Sequence, residues 1–188
     1  MKVGLVSDTH GFFDARLENL LTGVELILHA GDVGDQEVLE ALERIAPVRA
    51  VRGNVDPAHL NLPQIVTWKL GQIQFEVLHQ LPATQTELEK WADHKGENRP
   101  GPLGRNAFLQ SFGPGTRVVV FGHSHQPCLL ALDGKLFVNP GSAGRQRFSL
   151  PRCCGLLEVT PNGVGATILS LERYNRKLPE KVWLAVGG

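Results

Sequence analysis

Five short blocks of this chain carry side chains of the kind that hold metal ions: Asp8 with His10, Asp32, Asn54, His79, and His123 with His125. Each block by itself has a plainer explanation. Asp8 would serve as the cap of a helix expected from about Asp14, and Asp32, set between Gly31 and Val33, as a turn carboxylate among glycines. Gly53-Asn54-Val55-Asp56 ahead of Pro57 passes for an ordinary turn, and a lone histidine such as His79 at a strand end is more often hydrogen-bonded than metal-bound. Gly122-His123-Ser124-His125 is harder to account for, because two imidazoles one residue apart after an apolar run have little use in a core. Leaving them buried and unpaired costs free energy, and metal coordination is one way to satisfy them.

What must position these groups is a set of strands. Each block follows a run that reads as a buried strand: Lys2 to Val6, Glu25 to Leu28, Val48 to Val51, Phe75 to Leu78 and Arg117 to Phe121. Parallel strands deliver the residues past their carboxyl ends to one crevice, so ligands far apart in sequence meet there. Side chains at i and i+2 of an extended segment face the same way, so Asp8 and His10 are expected to reach one ion together. Independent turns and caps have no reason to gather Asp, His and Asn after successive strands in this order. The joint reading is a two-metal hydrolytic centre.

Helical patterns at about Ala15 to Leu21 and Gln36 to Ile45 alternate with the first strands. From Gln64 onward strand pairs dominate: Gln64 to Leu70 with Ile73 to His79, Pro127 to Leu132 with Lys135 to Asn139, and Gly155 to Thr160 with Val164 to Leu171. The expectation is an α/β fold with two packed sheets and helices outside them, in a single domain over residues 1–188 with no dividing linker. Leu81 to Asn106 reads as an irregular insert near the site, with a helix from Thr84 to Ala92 and a Pro- and Gly-bearing loop near Gly96 to Gly104. It is either a surface excursion or a lid that shapes specificity.

The 19 basic and 19 acidic residues cancel, so a broad positive surface for gripping long nucleic acid is not expected. No apolar run is long enough to span a bilayer, and Met1-Lys2-Val3-Gly4 leads straight into a strand rather than a secretion signal. Cys128, Cys153 and Cys154 suggest no disulfide framework, so the expected setting is cytoplasmic and the thiols serve as small hydrophobes. His29 is read as a core residue or a support for the site, with His59 and His94 exposed.

Taken in order, Ser7-Asp8-Thr9-His10-Gly11, Gly31-Asp32, Arg52-Gly53-Asn54-Val55-Asp56, His79, Gly122-His123-Ser124-His125 and Asn139-Pro140-Gly141-Ser142 resemble the calcineurin-like metallophosphoesterases. Within that family the chain looks like the small bacterial and archaeal phosphodiesterases, which are also similar to the retromer small subunit. The resemblance spans residues 3–142 and implies a four-layer sandwich, two mixed β-sheets flanked by helices. It also implies two divalent transition-metal ions bridged by Asp32. Asp8, His10 and His125 would complete one ion's ligands, and Asn54, His79 and His123 the other's. Manganese heads the expected ions, with iron, zinc, nickel, cobalt and magnesium behind it; residues of this type suit the transition metals better than magnesium alone.

Two divalent ions, two aspartates and one bridging hydroxide leave a net charge of about +1, which attracts a phosphate ester. The implied reaction is in-line attack of that hydroxide on phosphorus, with Asp32 and Asn54 at the catalytic centre. Two departures from the family pattern matter. Val55 stands where many relatives carry a histidine placed to protonate the leaving group, help typically worth about a hundredfold to ten-thousandfold. Gln80 stands where relatives usually have glycine after the histidine, which puts the position of His79 in question. Asp56 is expected to steady its loop, and Arg52, with Asn54, either touches substrate or is simply solvated. The expected substrate is a small phosphodiester. Competing readings are a non-catalytic protein-interaction scaffold of the same fold, a phosphomonoesterase, and a nuclease acting on long DNA or RNA. The oligomeric state is left open.

Overall fold

Residues that are buried on both faces of a strand must lie between two other layers, and the first strands are of this kind. In β1 (Lys2–Val6) every residue after Lys2 is buried, and in β2 (Leu26–His29) all four are. The computed structural model describes residues 1–93, 104–147, 149–173 and 177–185. Among them β1, β2 and β3 (Val48–Ala50) run parallel, with Val3 opposite Leu26 and Ile27 opposite Val48. On its other side β1 pairs antiparallel with β9 (Cys153–Thr160), which pairs with β10 (Gly163–Ser170) and that with β11 (Val182–Ala185). This six-stranded sheet has the order β11-β10-β9-β1-β2-β3.

The second sheet holds β4 (Ile65–Leu70), β5 (Ile73–Leu78), β6 (Thr116–Val120), β7 (Cys128–Leu132) and β8 (Lys135–Asn139), in the order β4-β5-β6-β8-β7. Here β5, β6 and β8 are mutually parallel, while β4 and β7 pair antiparallel at the two edges. Both sheets are therefore mixed: the parallel set is central in the five-stranded sheet and lies at one end, up to the β3 edge, in the six-stranded one.

Three apolar layers hold the sheets and helices together. Val3, Leu5 and Leu28 of one sheet meet Phe75, Val77, Val118, Val120 and Val138 of the other in a common core. Outside the first sheet, Leu17 of α1 (Arg16–Leu20) and Val38 and Leu42 of α2 (Gln36–Glu43) cover Val6 and Ile27. Outside the second, Leu88 and Trp91 of α3 (Gln85–Ala92) and Phe108 of α4 (Arg105–Gln110) cover Val119 and Phe137. The result is the expected four-layer sandwich.

The helix ends follow their caps. Asp35 accepts from the Glu37 amide to start α2, and Thr84 with Glu87 forms a reciprocal capping box at α3. Besides the short 3-10 helix Ala58–Leu60, two elements were not anticipated. Arg105 opens α4 where an irregular insert was expected to persist to Asn106, because Phe108 and Leu109 find a buried face against β6 and β8. β11 is a short edge strand whose burial alternates only weakly. Its signal lies in its partner, since a Cβ on Gly165 would come within 2.7 Å of the Trp183 ring. The expected loop near Gly96 to Gly104 falls almost wholly outside the described residues, as does His94.

One buried ion pair joins the segment before α1 to the start of β9. Arg152 donates to Asp14 and to the Gly144 carbonyl, while Arg16 donates from Nε (2.9 Å) and Nη2 (2.7 Å) to the same carboxylate. Hydrogen bonds from Arg16, aided by Arg152 and working against burial, hold the Asp14 carboxyl well below the usual carboxylate range. A depressed carboxylate stabilises the fold above its unfolded pKa, near 4, and loses that contribution as pH falls toward its folded value. Asp14→Asn should therefore cost about 2–3 kcal/mol at pH 7 and flatten the acid limb of stability. Urea denaturation of both proteins at pH 7 and pH 3 checks this, with the gap narrowing at the lower pH.

Candidate metal centre

All five blocks emerge from the same edge of the sandwich. Asp8 and His10 follow β1, Asp32 follows β2, Asn54 follows β3, His79 follows β5, and His123 and His125 follow β6, the five strands that form most of the two parallel sets. The ladder between β1 and β2 continues past the strand ends. The amides of Asp8, His10 and Gly11 donate to the carbonyls of Gly31, Asp32 and Val33 at 3.0, 2.9 and 2.7 Å.

This pairing carries the chain through unusual backbone. Asp8, His10, Asp32, His123 and His125 all have positive φ, between 49° and 68°. Such conformations cost about 1–3 kcal/mol each and persist only where the surroundings impose them. Asp8 and His10 do reach one point, but through two left-handed turns rather than by the same-side rule of an extended strand. Asp8 does not cap α1 either. Asp14 accepts from the Arg16 amide there, at 3.0 Å.

Two groups of side chains form around the aspartates. Asp8, His10 and His125 offer atoms within 4.8 Å of one another, and so do Asp8, Asp32 and His79. His10 Nε2 faces His125 Nε2 at 3.2 Å, and His125 Nε2 lies 3.4 Å from Asp8 Oδ1. Asp32 Oδ2 sits between the groups, 3.8 Å from His10 Nε2 and 3.4 Å from His79 Nε2. Asn54 Oδ1 is met by His79 Nε2 at 2.9 Å and by His123 Nδ1 at 3.1 Å. All seven predicted side chains are brought together, with Asp8 contributing to both triads.

The outward-facing atoms are already satisfied, which leaves the inward ones to be matched. Ser7 Oγ donates to Asp8 Oδ2 at 2.6 Å and the His123 amide donates to it at 3.1 Å. The Val55 amide donates to Asp32 Oδ1 at 3.0 Å. Ala30 O lies 2.8 Å from His79 Nδ1 and accepts its proton, which turns Nε2 toward Asn54 and Asp32 in the crevice. By contrast Asp8 Oδ1 is buried without a hydrogen-bond partner. Burial pushes the Asp8 carboxyl up to about 7. Burial also lowers His10, His123 and His125, the last to about 4, and the Arg147 charge adds to the effect on His10 and His125. For Asp32 burial is outweighed by its bonds to His79 and the Val55 amide, which bring it down to about 2. Three imidazoles held toward the neutral form and an orphaned carboxylate oxygen around one crevice are a donor set that a divalent cation fits.

Glycines let the pieces approach this closely. A Cβ on Gly122 would lie 2.0 Å from Ser7 Oγ and 2.8 Å from Asp8 Oδ2, and one on Gly53 would lie 2.1 Å from both the Asp32 amide and its Oδ1. Behind the centre, Asp56 accepts from the amides of Gly34 and Gly53, each at 2.7 Å, and so steadies its loop as expected. His29 is fully buried: it accepts from the Gly31 amide at 3.2 Å and meets Thr9 Oγ1 at 2.9 Å. Burial lowers its pKa to about 3, so it acts as a neutral strut between the β1 and β2 loops.

Gln80 does not take a positive φ, so the missing glycine leaves His79 in place. Arg52 is exposed beside Asn54 and His79 on a cavity of about 530 Å³. The Asn139-Pro140-Gly141-Ser142 turn braces the centre from below. Asn139 Nδ2 donates to the Gly122 carbonyl and Ser124 Oγ, both at 3.0 Å, and Ser142 Oγ donates to the Asp8 carbonyl at 2.8 Å. Ser7 and Arg147 had no assigned part at the sequence level; Ser7 was legible only as a neighbour of Asp8, and nothing in the pattern marked Arg147. Gly53→Ala should displace the Asp32 loop and destabilise the fold by about 1–3 kcal/mol, read from the denaturation midpoint.

Comparison with known proteins identifies the family. Residues 1–162 match the model of the calcineurin-like phosphoesterase superfamily domain. A probable metallophosphoesterase of Methanocaldococcus jannaschii is 32% identical over 161 residues, covering 81% of this chain and 71% of the relative. A phosphodiesterase of the same organism is 23% identical over 171 residues, covering 86% and 89%. Among solved structures, Vps29 of Entamoeba histolytica in complex with zinc superposes with a TM-score of 0.70 at 21% identity, over 98% of this chain and 99% of that one. With the domain match covering most of its length, the protein belongs to the calcineurin-like phosphoesterase superfamily.

Proposed function

We propose that the protein is a metal-dependent phosphodiesterase whose two divalent ions are held by Asp8, His10, Asp32, Asn54, His79, His123 and His125. The observation that carries this reading is the unpartnered, buried Asp8 Oδ1 at the meeting point of the His10, His125, Asp32 and His79 side chains. Bound there, divalent ions of the manganese type would supply a hydroxide at neutral pH for in-line attack on phosphorus and counter-charge for the phosphoryl oxygens. The chain's own part is positional. Ser7 and the amides of Val55 and His123 fix the carboxylates, and the Ala30 carbonyl holds the His79 ring in its orientation.

Arg52, exposed on the same cavity as Asn54 and His79, is the cation placed to meet a substrate oxygen. Val55 is 53% exposed and brings no proton to a leaving group, so poor leaving groups should react slowly. The phosphodiesterase among the relatives supports a diester over a monoester. The substrate is proposed to be small, since the formal charge of zero offers no broad attraction to long nucleic acid. The three cysteines are buried and unpaired, which fits a cytoplasmic setting, and no described helix is long and apolar enough to cross a membrane. The exposed large hydrophobic side chains among the described residues are Val55, Ile65 and Trp183, on three different elements, where a docking scaffold would call for a broad patch.

Manganese-loaded protein should cleave bis-p-nitrophenyl phosphate faster than p-nitrophenyl phosphate, lose activity to a chelator and regain it with manganese. Equal or faster monoester turnover would contradict the argument from Val55. Asp32→Ala should lower the diester rate by about a thousandfold or more while leaving circular dichroism nearly unchanged. An active variant that elemental analysis finds free of metal would refute the reading.

A further inference from the structure

The crevice opens on one side into a cavity of about 680 Å³ that reaches from His123 and Gly122 to the segment leading into α3. Its walls include Leu81, Pro82, Ala83 and Phe121. The polar groups of the cavity are mostly committed already. Ser124 Oγ donates to Gln85 Oε1 at 2.9 Å and accepts from Asn139 Nδ2 and the Gln126 amide, and Gln85 Nε2 donates to Glu89 Oε1 at 3.2 Å. Thr84 Oγ1 is closed on Glu87 by the capping box. A ligand therefore gains little from hydrogen bonding to these groups, and much from covering the apolar wall.

Charge narrows the occupant further. Glu87 is the charged carboxylate on this cavity and would repel a second phosphate. Gln80 and Gln126, both exposed on the rim, offer neutral donors and acceptors to the edge of a ring. We infer that this cavity is a subsite for a flat, uncharged aromatic group attached to the phosphorus of the substrate, an aryl group or a nucleobase-bearing arm. The inference rests on the metal-centre reading and gives its substrate one aromatic arm. It also gives the α3 shoulder a purpose. The segment after His79 contributes no side chain to the centre, yet it forms one wall of the space beside it.

The test is direct binding by calorimetry to manganese-loaded protein, using methylphosphonate, phenylphosphonate and uridine 5′-phosphate. At least one aromatic ligand should bind about tenfold or more tighter than methylphosphonate. Whichever is tighter separates the aryl from the nucleobase occupant. In Ala83→Trp, which fills the cavity, the aromatic advantage should shrink toward onefold; the smaller Ala83→Leu should show part of the loss and serves if the tryptophan variant does not fold. Equal binding of all three ligands, or an advantage that both variants retain, would overturn the subsite. If protein carrying its full manganese bound none of the three, the reading of the centre itself would fall, and the subsite with it.

Discussion

Too many acceptors face one another in a place where water cannot serve them all, and the arrangement of the site follows from that. Asp8 is fully buried with one carboxylate oxygen unmatched, and His10 and His125 point the same ring nitrogen at each other. In a crevice of low dielectric such groups are expensive unless a proton or a cation lies among them. The surrounding hydrogen bonds do not relieve this. They occupy the outer oxygens and nitrogens, and so turn the unmatched atoms inward.

Keeping the acceptors there requires backbone that isolated peptides avoid. Five of the seven side chains hang from left-handed residues; for Asp8, His10 and Asp32 the cost is met by the β1 and β2 ladder, which continues into the loops, and the loop after β6 is held by the Gly122 amide on the His79 carbonyl and the His123 amide on Asp8. Glycine enters for a different reason at Gly53 and Gly122, where any side chain would strike the aspartates or their supports. Asp56, His29, Asn139 and Ser142 then tie each loop to another, so that no loop of the centre is held by its own strand alone. The supports of the site are shared between its loops.

Ligand-type side chains and cavity shape fall on different parts of the chain. Strand ends in the parallel sets carry the groups that gather at the crevice. The neighbouring shoulder, from Gln80 into α3, carries shape: it is anchored by a capping box and by Leu88 and Trp91 in the outer core, and it walls a cavity without entering the centre. A scaffold built this way lets the shoulder change while the strand ends stay fixed.

Much of this was legible from residue order. Apolar runs followed at once by Asp, His or Asn marked the strands, their common direction and the seven side chains, because burial on both faces and ligand chemistry each leave a local pattern. The hairpins and the helix from Thr84 were legible for the same reason. Tertiary structure alone decided the rest. It made Asp8 and His10 converge through left-handed turns, which depend on hydrogen bonds to residues more than twenty positions away; it formed α4 and β11, whose stability comes from the faces they cover. Local sequence specifies what a segment prefers and which atoms it can offer, whereas the pairing of one strand-end loop with the next fixes where those atoms meet.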